Sequence, residues 1–272
     1  MFNCLNRLHL FGGVIAVSVA CPGSSVAAAD PGDDATRLEP LVVQVDYLVP
    51  EYKGGDKFRS PATIDTALAT DLAKRLQRPL MTVAHETATD DAAGTVGVAV
   101  QLTTLRDVAA APPGVTVIPV GYRAAPMAIM RSDTPIKRWE DLAGRKVCVA
   151  RGGNYLGTLS VRYGATEQVH PTPTDAMIAL RTGVCDALVH DSMMLEELIR
   201  FPEWKKFSAR LRASQRSTLA FLAPAEDRET VDLLRRTAFE WDAKGVPEAL
   251  VRKAVRNMAF EVYLEQEVPD CH

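Results

Sequence analysis

The residues able to do chemistry are few, and they fall at the ends of short patterned segments. Arg106 closes the run Leu102, Thr103, Thr104, Leu105. A guanidinium there offers a planar fork that matches a carboxylate, or it is simply a solvated arginine opening a loop. Gly152 and Gly153 lead into Asn154 and Tyr155. Free N–H groups of a helix starting at this point would bind an anion, and Asn154 would serve as an ordinary N-cap. Asp191 follows an apolar strand pattern over 186–190. Ligands of open α/β sheets are met beyond the carboxyl ends of strands, so Asp191 is a candidate ligand acceptor, with helix capping as the plainer alternative. Arg151, just before the glycines, reads as solvated surface, with contact to an anionic ligand as the alternative, and Asp186 reads as a residue holding a turn.

Several chemistries have no support. His85, His170, His190 and His272 form no H-x-x-H or H-x-x-x-H pair, and no C-x-x-C occurs, so no metal ligand set and no cofactor are expected. There is no G-x-S-x-G and no phosphate loop. His190, Asp191 and Ser192 are adjacent, and neighbours on a strand point to opposite faces, so they make no triad. The formal net charge is −3, with acids and bases interspersed, which argues against a nucleic-acid partner.

These positions are set in an alternating pattern. Strands are expected over 41–46, 80–84, 95–102 and 115–120, with a helix after the first of them. Ser60 is the expected cap of that helix, Pro61 its first turn, and Ile64, Leu68, Leu72 and Leu76 its buried face. Further strands are expected over 146–150, 168–170, 186–190 and 217–223. Helices are expected from Asn154 to Gly164, over 173–182 and over 192–200. Short connections between strands and helices predict parallel sheets covered on both faces. The tail reads as two helices, one with the stripe Val231, Leu234, Ala238 and Trp241, the next opened by Pro247 and carrying Leu250, Val251, Ala254, Val255 and Met258.

The first residues read as a secretory signal: Arg7, an apolar core over 8–20, and Ala27, Ala28, Ala29 before a cleavage point. The core is too short to span a membrane. A lipoprotein alternative at Cys21 lacks the large aliphatic residue expected three positions upstream. The mature chain would begin at Asp30 in an oxidising compartment, keeping Cys148, Cys185 and Cys271.

Residues 136–198 carry a family pattern: Asp141-Leu142, Gly144, Lys146-Val147, Val149, Gly152, Ala179-Leu180, Gly183, Asp186-Ala187 and Asp191. This resembles the second lobe of the polar-amino-acid type (family 3) of bacterial extracellular solute-binding proteins. The resemblance implies a two-lobed, type II periplasmic-binding-protein-like α/β fold, each lobe a mostly parallel sheet flanked by helices. Residues 1–29 would be the signal peptide, 30–122 with 217–272 the first lobe, and 123–216 the second. The helical tail would pack back on the first lobe. The implied function is capture of a small polar, amino-acid-like or organic-acid ligand between lobes that close on it, for an importer with an inner-membrane permease or for a sensor, by a monomer without enzymatic activity. Arg106 would grip the carboxylate, Gly153 and Asn154 would supply the helix-end site, Asp191 would take the amino group, and Tyr47 or Tyr52 would lie against the ligand. The family's strand order makes the strands of Cys148 and Cys185 neighbours, so these two would pair and leave Cys271 free.

The first lobe departs from the family pattern. Only the polar stretch 85–94 stands between the second and third strands, where the family has a helix. This leaves two other readings open: a binding fold that docks an exported redox enzyme, or a periplasmic dehydratase using Glu51 or Asp191 as general acid.

Overall fold

A computed structural model describes residues 39–48, 57, 59–60, 63–84 and 100–265. The signal segment, Pro50 to Tyr52, the polar stretch 85–94 and Cys271 lie outside these residues. Ten strands form two sheets among the described residues. The first holds β1 (Leu41–Val45), β2 (Leu80–Ala84), β3 (Val100–Leu105), β4 (Val115–Ala124) and β10 (Ser217–Pro224), in the order β2-β1-β3-β10-β4. The second holds β5 (Pro126–Met130), β6 (Lys146–Ala150), β7 (Thr166–His170), β8 (Ala187–Asp191) and β9 (Ala209–Arg212), in the order β7-β6-β8-β5-β9. The chain passes between sheets at Ala125 and again over 213–216. This is the two-lobed periplasmic-binding-protein-like fold.

Each sheet is mixed. β1 pairs in parallel with β2 and β3, and β6 with β7 and β8. β10 runs antiparallel to β3 and β4, and β5 antiparallel to β8 and β9. The antiparallel members are the strands next to the crossings. β5 and β9 carry little periodic signal, being a four-residue apolar run behind a proline and a four-residue alternation.

Helix α1 (Ile64–Arg75) starts later than the sequence suggests. Thr63, not Ser60, is its N-cap, and Thr63 and Thr66 exchange side-chain and backbone bonds in a capping box. Ser60 instead donates from its N–H and hydroxyl to Glu261, at 2.9 and 2.5 Å. Leu68 and Leu72 are fully buried as the four-residue spacing requires. Asn154 does not cap a helix. Helix α2 (Thr158–Tyr163) begins three residues further on, with Gly157 as N-cap in the left-handed region at φ 76°, and Asn154 lies in the turn before it. Helices α3 (Pro173–Arg181) and α4 (Ser192–Leu198) follow β7 and β8.

The tail forms α5 (Arg228–Ala243) and α6 (Val246–Leu264). The stripe Val231, Leu234, Ala238 and Trp241 is buried. α6 does more than return to the first lobe, because it packs on α1 and α5 and also on α3 and α4. One apolar cluster therefore runs from Leu68 and Leu72 through Val251, Val255 and Met258 to Met177, Leu180 and Leu195. Near Leu264 the contact turns polar. Glu261 is 7% exposed, and it accepts from Ser60 on one side and from Thr174 at 2.8 Å on the other. Arg59 bridges Asp175 of α3, at 2.7 Å, and Glu265.

Cys148 and Cys185 form a disulfide with Cα atoms 5.7 Å apart, within the range such a bond requires. Cys148 lies on β6, and Cys185 lies in the segment leading into β8, its parallel neighbour. No described helix is long and apolar enough to cross a membrane.

Candidate functional site

The C-terminal ends of β1, β3, β6 and β8 converge on two adjoining cavities. The inner one, of about 160 Å³, is lined from both lobes by Asp46, Tyr47, Asp65, Tyr122, Gly152 and Asp191, among others. The outer one, of about 1070 Å³, is lined by Arg106, Trp139, Arg162, Tyr163 and residues 212–217, among others. Thr104, Asn154 and Tyr155 line both.

Asp191 is the centre of the inner cavity. It occupies the N-cap position of α4 but makes no side-chain cap bond. Its two carboxylate oxygens accept instead from the hydroxyls of Tyr122 and Tyr155, at 2.5 and 2.6 Å. Tyr122 comes from β4 and Tyr155 from the turn after β6, so the carboxylate joins the lobes. Burial and then the Asp191 charge push both phenol pKa values far upward, which keeps each hydroxyl protonated and donating. A carboxylate has about four lone-pair sites, so two remain for a ligand. The backbone N–H of Asp191 donates to His190 Nδ1 at 2.7 Å. Burial holds the His190 imidazole below its ordinary pKa.

Two more carboxylates face the same space. Asp46 accepts from the Thr103 hydroxyl at 2.6 Å and from the Thr104 N–H at 3.0 Å, tying the end of β1 to β3. Asp65 is 8% exposed, and burial raises its pKa against opposing bonds from Thr63 and Thr66. The cations on this lining are Arg59, engaged by Asp175 and Glu265, and the exposed Arg151. The inner chemistry is therefore acidic and aromatic.

Tyr47 reaches from the first lobe to the second. Its hydroxyl donates to the Pro171 carbonyl at 2.9 Å. Its ring lies so close to Gly152 that a Cβ added there would fall inside the Tyr47 side chain. Gly152 has φ +70°, so both the close approach and the backbone favour glycine.

The helix-end anion site expected near Gly153 and Asn154 is filled by the chain itself. The Glu167 carboxylate on β7 accepts from the N–H groups of Gly157, Leu159 and Ser160, at 2.6, 2.8 and 2.9 Å. The Gly153 N–H goes to the Ala150 carbonyl at 3.1 Å. Asn154 remains on the shared wall of both cavities. Arg106 is exposed in the outer one, and no described hydrogen bond or ion pair engages it. The structure thus brings Arg106 to Asn154 and Tyr155, and brings Asp191 to Tyr155 from the other side.

Tyr122, Asp46, Asp65 and Glu167 are not among the site residues expected from the sequence. Asp46 carried a usable signal, because it follows a strand much as Asp191 ends one. The others are assembled only by tertiary contact. Asp186 holds a turn, accepting from the Lys146 N–H at 3.0 Å. His170 lies beside the disulfide, with Nε2 3.2 Å from Cys148 Sγ. The grouping of Cys148, Cys185 and His170 has the compactness of a metal site, but the disulfide consumes both thiolates.

No protein-family model and no curated protein matches this chain by sequence. Solved structures match by fold. An ancestral cationic amino acid solute-binding protein has 18% identity and a TM-score of 0.54, over 79% of this chain and 95% of that one. A mutant of ArgBP from T. maritima has 20% identity and a TM-score of 0.53, over 79% and 95%. The ligand-binding core of GluR0 in complex with L-glutamate has 16% identity and a TM-score of 0.53, over 80% and 99%. These structural neighbours, at low identity, are of the amino-acid-binding type that the segment 136–198 resembles, and they are binding proteins rather than enzymes.

Proposed function

We propose that this protein is an exported solute-binding protein, without enzymatic activity, that takes a small amino-acid-like ligand between its lobes. One observation carries the reading: Thr104, Asn154 and Tyr155 form a wall common to an acidic, aromatic cavity and a basic one. A zwitterion lying along that wall would place its ammonium among Asp191, Asp46 and Asp65, where the tyrosine faces also favour a cation. Its carboxylate would meet the Arg106 guanidinium in a bidentate pair. Tyr47 and Gly152 would close the inner end. The similar solved proteins named for cationic amino acids and for bound L-glutamate support an amino-acid scaffold for the ligand.

Thermal unfolding against a library of amino acids and organic acids tests this. A true ligand at about a hundredfold excess over its dissociation constant stabilises the folded chain by about 2.7 kcal/mol. At this size that amounts to a shift of about 5–11 °C, from roughly 2–4 °C per kcal/mol. A library in which no compound shifts the midpoint removes the reading.

Export to the periplasm belongs to the same proposal, with delivery to a permease or sensor and action as a monomer. Sequencing the amino terminus of the exported protein is expected to give Asp30 first. A chain retaining Met1, or a lipid on Cys21, contradicts it.

A second reading has its own support. The apolar seam of α6 with α3 and α4, the buried Glu261 and the Arg59 bridge tie the tail helix to both lobes. Contacts of this extent between lobes suit a fold that docks an exported enzyme. A library without hits would favour that reading.

A further inference from the structure

The outer cavity holds more positive charge than one carboxylate needs. Arg106, Arg162, Arg212 and Arg216 all line it, and among the described residues no aspartate or glutamate does. The chain as a whole carries 34 acidic residues against 31 basic ones, so four described arginines on one wall stand out against its overall sign. Three of the four have no carboxylate partner among the described residues. Arg106 and Arg216 are exposed and unengaged, and Arg162 lies over the Tyr163 ring at 5.5 Å. Only Arg212 is paired, with Glu196 at 3.0 Å.

The placement is built rather than scattered. Arg106 follows β3 of the first lobe, Arg162 lies on α2 of the second, and Arg216 belongs to the segment returning between lobes. Trp139 stacks on Tyr163 with ring centroids 5.4 Å apart, and the Trp139 indole N–H is committed to the Arg212 carbonyl at 3.3 Å. These rings give the cavity an apolar wall beside its cations. A lone anion would leave most of this charge unanswered. Guanidinium forks from three elements suit a molecule with several acidic groups.

We propose that the outer cavity binds a small organic polyanion, one with at least one acidic group, carboxylate or phosphate, besides that held by Arg106. The inference deepens the cleft reading above by naming its ligand class, but it does not use the inner carboxylates. It places the amino-acid-like ligand among compounds with an acidic extension, unlike the cationic amino acids named for some similar folds.

Isothermal titration at low ionic strength tests it with citrate, pyrophosphate and acetate as probes. Citrate or pyrophosphate is expected to bind about tenfold or more tighter than acetate, through added charge-assisted bonds. Preference for citrate marks a polycarboxylate, and preference for pyrophosphate a phosphate ester. The affinity is expected to fall about tenfold when Arg162→Gln and Arg216→Gln are combined, and to weaken as salt is added. Both residues are exposed, so the variant should fold, and an unchanged melting midpoint verifies this. Equal binding of all three probes, or unchanged affinity in the double variant, overturns the proposal. Failure of the cleft reading looks different: citrate binds, while no amino acid stabilises the protein.

Discussion

Asp191→Ala is expected to destabilise the protein by about 2–5 kcal/mol. The substitution leaves the hydroxyls of Tyr122 and Tyr155 without their acceptor. A buried donor left unpaired costs about 1–3 kcal/mol. Tyr122 bears the full penalty because it is only 5% exposed. Tyr155 is half-buried and recovers part of its loss from water. Tyr122→Phe removes only one donor and leaves Asp191 its bond to Tyr155, so its cost is expected near 1 kcal/mol. Urea denaturation of the three proteins measures the difference. Equal stability of Asp191→Ala and the parent would mean that the carboxylate does not hold the lobes together.

The second large effect concerns the disulfide. Cys148 and Cys185 are 37 residues apart in sequence. Closing a loop of this length stabilises by about 2–4 kcal/mol, mainly by restricting the unfolded chain. Cys148→Ser with Cys185→Ser is expected to lower stability by that amount, perceptibly more than the loss of two buried methyl-sized contacts alone. Replacement of both by alanine controls for burying two hydroxyls, since both positions are within the core. Equilibrium unfolding with and without reductant measures it. A parent protein whose stability does not change on full reduction would show that the bridge adds nothing.

Much of the scaffold was legible because its signals are local. The strand 146–150, the stripe on α5 and the buried face of α1 follow from periodicity alone. The disulfide was readable because the resemblance fixed which strands are neighbours. The cap of α1 was misplaced because Ser60 and Pro61 form a good helix start in isolation. Glu261 recruits Ser60 instead, from 201 residues away. Asn154 failed as a cap for a similar reason. Glu167, on a neighbouring strand, satisfies the N–H groups of α2, and an N-terminus served by a distant carboxylate needs no cap residue. β5 and β9 were missed because each is too short for an alternation to stand out.

The site was legible at its ends and not in its middle. Arg106 and Asp191 are marked by their place after strands. What lies between them, the Tyr122 and Tyr155 hydroxyls on one carboxylate and the carboxylates of Asp46 and Asp65 beside it, is assembled across lobes and leaves no pattern in the chain. The seam of α6 against α3 and α4 was hidden likewise. Its apolar stripe predicts burial, but not that two lobes share it.

In the proposed complex a ligand lies along the wall of Thr104, Asn154 and Tyr155 with its acidic end on Arg106. Isothermal titration of the Arg106→Ala protein with the compound that stabilises the parent tests this most directly. Arg106 is exposed, so the melting midpoint of the free protein should not move. A charge-assisted bond contributes about 1.5–3 kcal/mol, and affinity is therefore expected to fall by about tenfold to a hundredfold. Unchanged affinity would contradict the account, because the acidic end of the ligand would then lie somewhere other than at Arg106.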